Sequence, residues 1–335
     1  MVRIVVTALL VVVRSFAVEP GQPSRTSLHS TAGRAIGVHD YDPTVRNPNW
    51  LAEQFLGPAE RALLPGDPLI QALDIDYRKA QEVKPVITDN CLIRTRYIDE
   101  RLKRAVSGKA TQVVILGAGF DSRAYRMRQL LKNVKVFEVD YGPTQEYKKK
   151  RVEEIFGSFP TNVVYVPIDF TRETLGDVLS KQGYSRDKVT FFIWEGVTFY
   201  LPEQAVRETL HFVSGSAPES ALVFDAKRKS FIDWVTANID HPERVPEAAR
   251  ATLAEQRKYR GWGEPFLFGF PDGREKEFLR GEGLELVDLL AQDGMEARQR
   301  YLTRRDGSIA FPIPLYNPGN PTQAGWVGEA VVPRR

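Results

Sequence analysis

The chain has a single cysteine, Cys91, in 335 residues, so neither an intrachain disulfide framework nor a cysteine-rich zinc site can be built. Histidine is scarce too: His29, His39, His211 and His241 make no HExxH, and no metal is expected. An excess of one charge is also missing, because 46 Lys and Arg against 43 Asp and Glu leave +3. That balance excludes a protein held to nucleic acid by bulk positive charge. Long apolar runs are absent: residues 4–13 are mostly apolar but too short to span a bilayer as a helix. With Arg3 before this run and Ser15-Phe16-Ala17 after it, residues 1–20 read as an apolar N-terminal extension or a secretory signal. A 42% hydrophobic and 27% charged composition calls for an ordinary packed core. No internal repeat or low-complexity tract interrupts residues 21–335, which read as one domain.

Residues 18–50 are rich in Pro, Gly, Ser and Asn and show only weak helical periodicity. Leu51, Phe55, Leu56, Ala59 and Leu63 recur at near-helical spacing, which predicts a helix over 50–64 that ends at Pro65-Gly66-Asp67-Pro68. A second helix is predicted over 89–106, and Gly108 stops it. From residue 112 the pattern alternates. Strands are expected at 112–116, 134–140, 163–168, 188–194 and 221–225, and helices at 122–132, 143–156, 174–182 and 203–214. Strands separated by helices describe a parallel, doubly wound α/β sheet, since parallel neighbours require crossovers. Beyond residue 228 the chain reads as helical to Tyr259, then Gly/Pro-rich, then strand-like at 284–289. The run Lys148-Lys149-Lys150-Arg151 precedes Glu153 and Glu154 and reads as a solvated helix face.

Open α/β sheets bind ligands outside the carboxyl ends of their strands. The first end is Gly117-Ala118-Gly119, where glycines let the backbone approach a ligand. A dinucleotide fingerprint asks for a third glycine where this chain has Ser122, which counts against a nucleotide-dependent oxidoreductase. The second end is Asp140, 21 residues after Gly119, a spacing that suits a carboxylate accepting two ribose hydroxyls. The third is Asp169-Phe170, which can accept from an adenine amino group and cover the ring. The fourth is Glu195, which leaves the apolar strand FFIW and should be paired or functional, because an unpaired buried carboxylate is costly. An α-ammonium group would pair with it. Ribose, adenine and an amino acid together describe S-adenosyl-L-methionine.

The stretches SRTSLHSTAGRA at 24–35, RTRYIDERL at 94–102, VVILGAGFDSRAYR at 113–126, VFEVDYGPTQEYK at 136–148, VYVPIDF at 164–170, FIWEGVTFYL at 192–201, VFDA at 223–226 and GEPFLFGF at 263–270 carry a resemblance. In that order they resemble the leucine carboxyl methyltransferase-like family, especially its bacterial O-methyltransferase branch. The resemblance implies a class I, Rossmann-like methyltransferase fold: a helical cap over about 21–108, a core over about 109–228 and C-terminal cap elements over about 229–335. It implies that Arg96, with Arg94 as the alternate, binds the carboxylate of S-adenosyl-L-methionine. It implies that Gly117 and Gly119 line the methionine moiety, that Asp140 takes the ribose, and that Asp169 and Phe170 take the adenine. Glu195 is expected near the α-amino group and Tyr200 at the methyl acceptor. The expected partner is a small-molecule acceptor, with no nucleic acid and no stable membrane span, and the expected location is the cytoplasm, with export or membrane association as the alternative if residues 1–17 act as a signal. A cofactor-binding protein without turnover is the other class of function compatible with these residues.

Overall fold

Parallel strands buried on both faces should be short continuous apolar runs, and three of the runs at the centre of this sheet are β1 (Gln112–Leu116), β4 (Thr190–Trp194) and β5 (Ala221–Lys227). The computed structural model describes residues 21–75, 85–169, 173–310 and 325–334. In chain order its main helices are α1 (Arg25–Gly37), α2 (Pro58–Ala62), α3 (Pro68–Ile75), α4 (Pro85–Ser107), α5 (Arg123–Arg126), α6 (Arg128–Leu131), α7 (Gly142–Phe156), α8 (Leu175–Lys181), α9 (Glu203–Ser214), α10 (Lys229–Asn238), α11 (Glu247–Gly261) and α12 (Glu275–Gly281). The remaining strands are β2 (Lys135–Asp140), β3 (Val163–Pro167), β6 (Glu285–Ala291) and β7 (Gly325–Val331).

The seven strands lie in the order β3-β2-β1-β4-β5-β7-β6. β1 pairs with both β2 and β4 in parallel, so the chain winds outward from β1 in one direction and then returns to start again beside it at β4. β7 runs antiparallel between β5 and β6. The sheet has two covered faces. Val113, Ile115, Phe191 and Ile193 point into a core shared with Leu28, Ala32 and Ile36 of α1 and with Leu92, Ile93 and Tyr97 of α4. Val114, Leu116, Phe192 and Trp194 point the other way, toward Leu179 of α8 and Val206 and Leu210 of α9. Each such large side chain, fully buried, contributes about 1.5–3 kcal/mol.

The two-sided α/β sheet agrees with the sequence, and so do the positions of β1–β6 to within a few residues. The helix predicted over 122–132 breaks at Met127 into α5 and α6, and three further elements differ for reasons the structure shows. α1 falls in a stretch with little periodicity because ten of its residues, Thr26 and His29 among them, are buried, and a helix covered nearly all round shows no apolar stripe. Residues 51–55 form turns, and the helix predicted over 50–64 shrinks to α2 because Gly57-Pro58 cannot continue a helix that began earlier. β7, with glycines at 325 and 328, carried no strand signal, and it makes the sheet mixed. Lys148 also departs from expectation. It is fully buried and pairs at 2.8 Å with Glu138 of β2, whose carboxyl burial pushes up to about 7 against the pull of that lysine. Lys149 pairs with Glu146 and Arg151 with Glu154, so only part of the lysine run is a surface face. Among the described residues no helix is long and apolar enough to cross a membrane. Residues 1–20 lie outside the described residues.

Candidate functional site

The loop after β1 turns on two glycines with positive φ, +65° at Gly117 and +44° at Gly119, which L side chains rarely adopt. Both are also crowded: a Cβ on Gly117 would collide with the Val197 side chain, and one on Gly119 with the Ser27 hydroxyl. The turn aims the Gly119 N–H at the carboxylate of Asp140, at the end of β2. Asp140 also accepts from the Tyr141 N–H at 2.6 Å. Burial raises its carboxyl to about 6, in opposition to those two N–H groups. A carboxylate offers about four acceptor positions, so two remain. Asp169, beyond β3, is half-buried, and its N–H donates to Glu173 Oε2 at 2.9 Å. Phe170 and Thr171 lie outside the described residues.

Glu195 follows β4 and is the centre of an arginine cluster. Arg34 donates to its Oε1 at 2.7 Å and Arg123 to its Oε2 at 2.8 Å, and Arg94 Nε lies 3.4 Å from Oε1. Burial alone would raise its pKa, but the charges of Arg34, Arg123 and Arg94 outweigh it and hold the carboxyl well below the usual range. The acid expected to await an ammonium partner is therefore already paired three times. Asp225, two residues before the end of β5, accepts from Arg94 at 2.8 Å and from the Gly196 N–H at 2.5 Å, and Arg123 continues the network to Asp99 at 2.8 Å and to Asp121.

These strand ends open onto a cavity of about 560 Å³, within the usual range for a small-ligand site. Gly117, Gly119, Asp140, Asp169, Glu195 and Tyr200 all line it. Arg96 does not. It donates instead to the backbone carbonyls of Arg46 and Pro43, while Arg94 lines the cavity. Two residues apart on a helix point roughly 200° from each other, so only one of the pair can face inward. Tyr200 ends a 3₁₀ turn over Thr198–Tyr200, and its ring packs 5.2 Å from that of Phe266. Burial pushes its hydroxyl pKa far above the ordinary 10, so the phenol stays protonated.

Four contributors were not assigned from the sequence. Arg34, Arg123 and Asp225 assemble around Glu195, and Glu264 lines the cavity from the segment after α11. Glu264 accepts from Ser24 Oγ at 2.7 Å, the Arg25 N–H at 2.9 Å, the Thr26 N–H at 3.2 Å and the Thr26 hydroxyl. It thus caps α1 from outside, beside the Ser24 side chain that accepts from the Ser27 N–H. All four lie in the motif stretches quoted above, which is the only signal that marked them.

The family model described as leucine carboxyl methyltransferase matches residues 27–214. The chain is 29% identical to YktD of Bacillus subtilis over 223 residues, 66% of this chain and 68% of that protein. It is 30% identical to a protein of Mycolicibacterium smegmatis over 238 residues, 70% of this chain and 69% of the other. Both relatives carry provisional names as S-adenosyl-L-methionine-dependent methyltransferases. A crystal structure from Thermobifida fusca, provisionally described as a methyltransferase, matches with TM-score 0.51 at 15% identity, covering 94% of this chain and 97% of that one. At that identity the match speaks for the fold.

Proposed function

The chain belongs to the leucine carboxyl methyltransferase family and is an S-adenosyl-L-methionine-dependent methyltransferase, and from that premise we propose that it methylates a carboxyl or hydroxyl oxygen of a small molecule. The observation that carries this reading is the cavity at the β1/β4 switch point, where Asp140 keeps two free acceptor positions and Arg34 and Arg94 belong to the same lining. Donor and acceptor types fit the cofactor: two hydroxyls for Asp140, a carboxylate for Arg94 with Arg34, and an amino group for Asp169, with Phe170 assigned to the ring face. Because the charge of Glu195 is already offset by three arginines, the cofactor's α-amino group goes to backbone carbonyls near Gly117, and Glu195 acts by holding Arg34 and Arg94 in place.

When bound, the cofactor supplies an electrophilic sulfonium methyl for in-line displacement. The protein's part is alignment and exclusion of water, which Val197, Leu201, Pro202 and Leu267 serve as apolar lining. Tyr200, kept protonated by its burial, donates a hydrogen bond that orients the acceptor oxygen and does not act as a base. A carboxylate acceptor needs no deprotonation, which suits a cavity without a histidine among its lining residues. The reaction is placed in the cytosol, where this cofactor is made, and secreted protein beginning at Val18 would speak against that.

The test is calorimetry with S-adenosyl-L-methionine against NAD, followed by incubation with methyl-labelled cofactor and a library of small acids and phenols. Binding of S-adenosyl-L-methionine alone, with label recovered as ester or ether, is the expected result. Tight binding with no methyl transferred to any acceptor would favour a cofactor-binding protein without turnover. Tyr200→Phe should lower kcat and leave cofactor affinity in place.

A further inference from the structure

A second group of polar side chains sits at the same carboxyl edge of the sheet, further along, and takes no part in the arginine cluster. Lys227 ends β5 and is in register with Gly325 of β7, whose carbonyl accepts from the N–H of Gln292 just beyond β6. Side chains alternate along a strand. Val223, Val327 and Leu290 all belong to the core beneath α1 and α4, so Lys227, Gly325 and Gln292 share that face, in a row across three neighbouring strands. The middle position is a glycine for reasons of space. Its φ is not among the positive ones, and a Cβ there would lie 2.7 Å from Gln292 Oε1 and 3.2 Å from Lys227 Nζ. The two polar heads therefore converge over it.

These groups have hydrogen-bonding capacity left over. The Lys227 side chain makes no ion pair or hydrogen bond among the described residues, and its Nζ rests 5.5 Å from the centre of the Phe199 ring. Burial pulls its pKa down, although Asp225, Glu255 and Asp293 lie within reach of its charge. Gln292 is 4% exposed and its Nε2 has no partner. Both carboxylate oxygens of Asp293 are buried without a hydrogen bond, and burial raises that group's pKa. Buried polar groups in folded proteins are ordinarily satisfied, so several unsatisfied ones at one edge point to a ligand. The row lies one ring away from the cavity: Phe199 and Tyr200 are 4.7 Å apart by ring centroids, and Tyr200 lines the cavity.

We propose that Lys227, Gln292 and Asp293 form an anchoring subsite for the methyl acceptor, one that takes a carboxylate lying next to a hydroxyl or ammonium group, as in a 2-hydroxy acid or a 2-amino acid. Lys227 and the Gln292 amide can only donate at their open positions, which calls for a carboxylate, and an ionised Asp293 can only accept, which calls for the neighbouring donor. A carboxylate held by a cation is a poor nucleophile, so the methylated oxygen is a different one, presented past Phe199 toward Tyr200. The subsite rests on the methyltransferase reading above.

The experiment uses ligand-observed NMR on the whole chain with saturating S-adenosylhomocysteine, with phenyllactate, phenylalanine and their carboxamides as probes. The acids should bind and the amides should bind at least tenfold more weakly. Lys227→Met and Gln292→Leu should each weaken the acids at least tenfold while leaving S-adenosylhomocysteine affinity and melting temperature near wild type. Equal binding of acid and amide, no acid binding to the cofactor-loaded protein, or wild-type binding by folded Lys227→Met overturns the subsite alone. Failure of S-adenosylhomocysteine to bind the wild type overturns the methyltransferase reading and the subsite with it.

Discussion

Arg34, in the N-terminal helix, donates to Glu195 at 2.7 Å, although 161 residues separate them in the chain. This contact ties the cap to the end of β4, and with Arg94 and Arg123 it makes Glu195 a counter-ion to three buried cations. Glu195→Gln should therefore destabilise the protein even without cofactor, by about 3–5 kcal/mol, the range for breaking a buried ion pair on one side. Chemical denaturation of the apo protein checks this. A stability equal to or above wild type would mean that the arginines find other partners.

Asp140 gives a pH signature with two opposite slopes. Its folded carboxyl titrates at about 6 against an ordinary 3.8, so the native state holds a proton that the unfolded chain has lost between those values. Its contribution to apo stability is full below the lower value and is lost as pH rises through about 6. Cofactor affinity should move the other way and increase with pH through about 6, because the ribose hydroxyls need the ionised acceptor. Titrations from pH 5 to pH 8 should show that rise. Asp140→Asn should flatten it and weaken binding by about 1.5–3 kcal/mol.

Gly117→Ala should cost about 1–3 kcal/mol of stability from its left-handed φ alone, with the displacement of Val197 in addition. Cofactor binding should fall with it, since Val197 and Gly117 both line the cavity. Calorimetry and thermal melting read the two effects separately.

Glu264→Gln keeps the shape of the cap on α1 but removes its charge. Loss of the charged hydrogen bonds to Ser24, Arg25 and Thr26 should cost about 1.5–3 kcal/mol, and it should speed amide exchange over residues 25–37 more than in the sheet. Uniform exchange across the protein would show that the cap is not a local device.

The sheet and the strand-end acids could be read from the sequence because period and position determine them: an apolar run such as TFFIW can only be buried, and the residue that follows it must emerge at the ligand edge. α1 could not, because a helix rich in Ser, Thr, Gly and Ala that is covered on nearly every side displays no contrast between faces. That one omission hid Arg34, and so left Glu195 without the partners that explain it. Arg94 and Arg96 could not be separated by motif alone, since the choice depends on which side of α4 meets the sheet. Lys148 illustrates the reverse error, in which a charge cluster looked like surface while one of its members reached inward to Glu138.

The place of β7 bears on how the molecule is made. Gly325–Val331 is wedged between β5 and β6, which are complete some forty to a hundred residues earlier in synthesis. Until it arrives, two strand edges stand open for pairing, and an emerging chain in that condition is prone to join another copy. Tags or fusions that crowd the segment from 325 onward should thus lower soluble yield far more than equal additions near α10, whose residues lie outside the sheet.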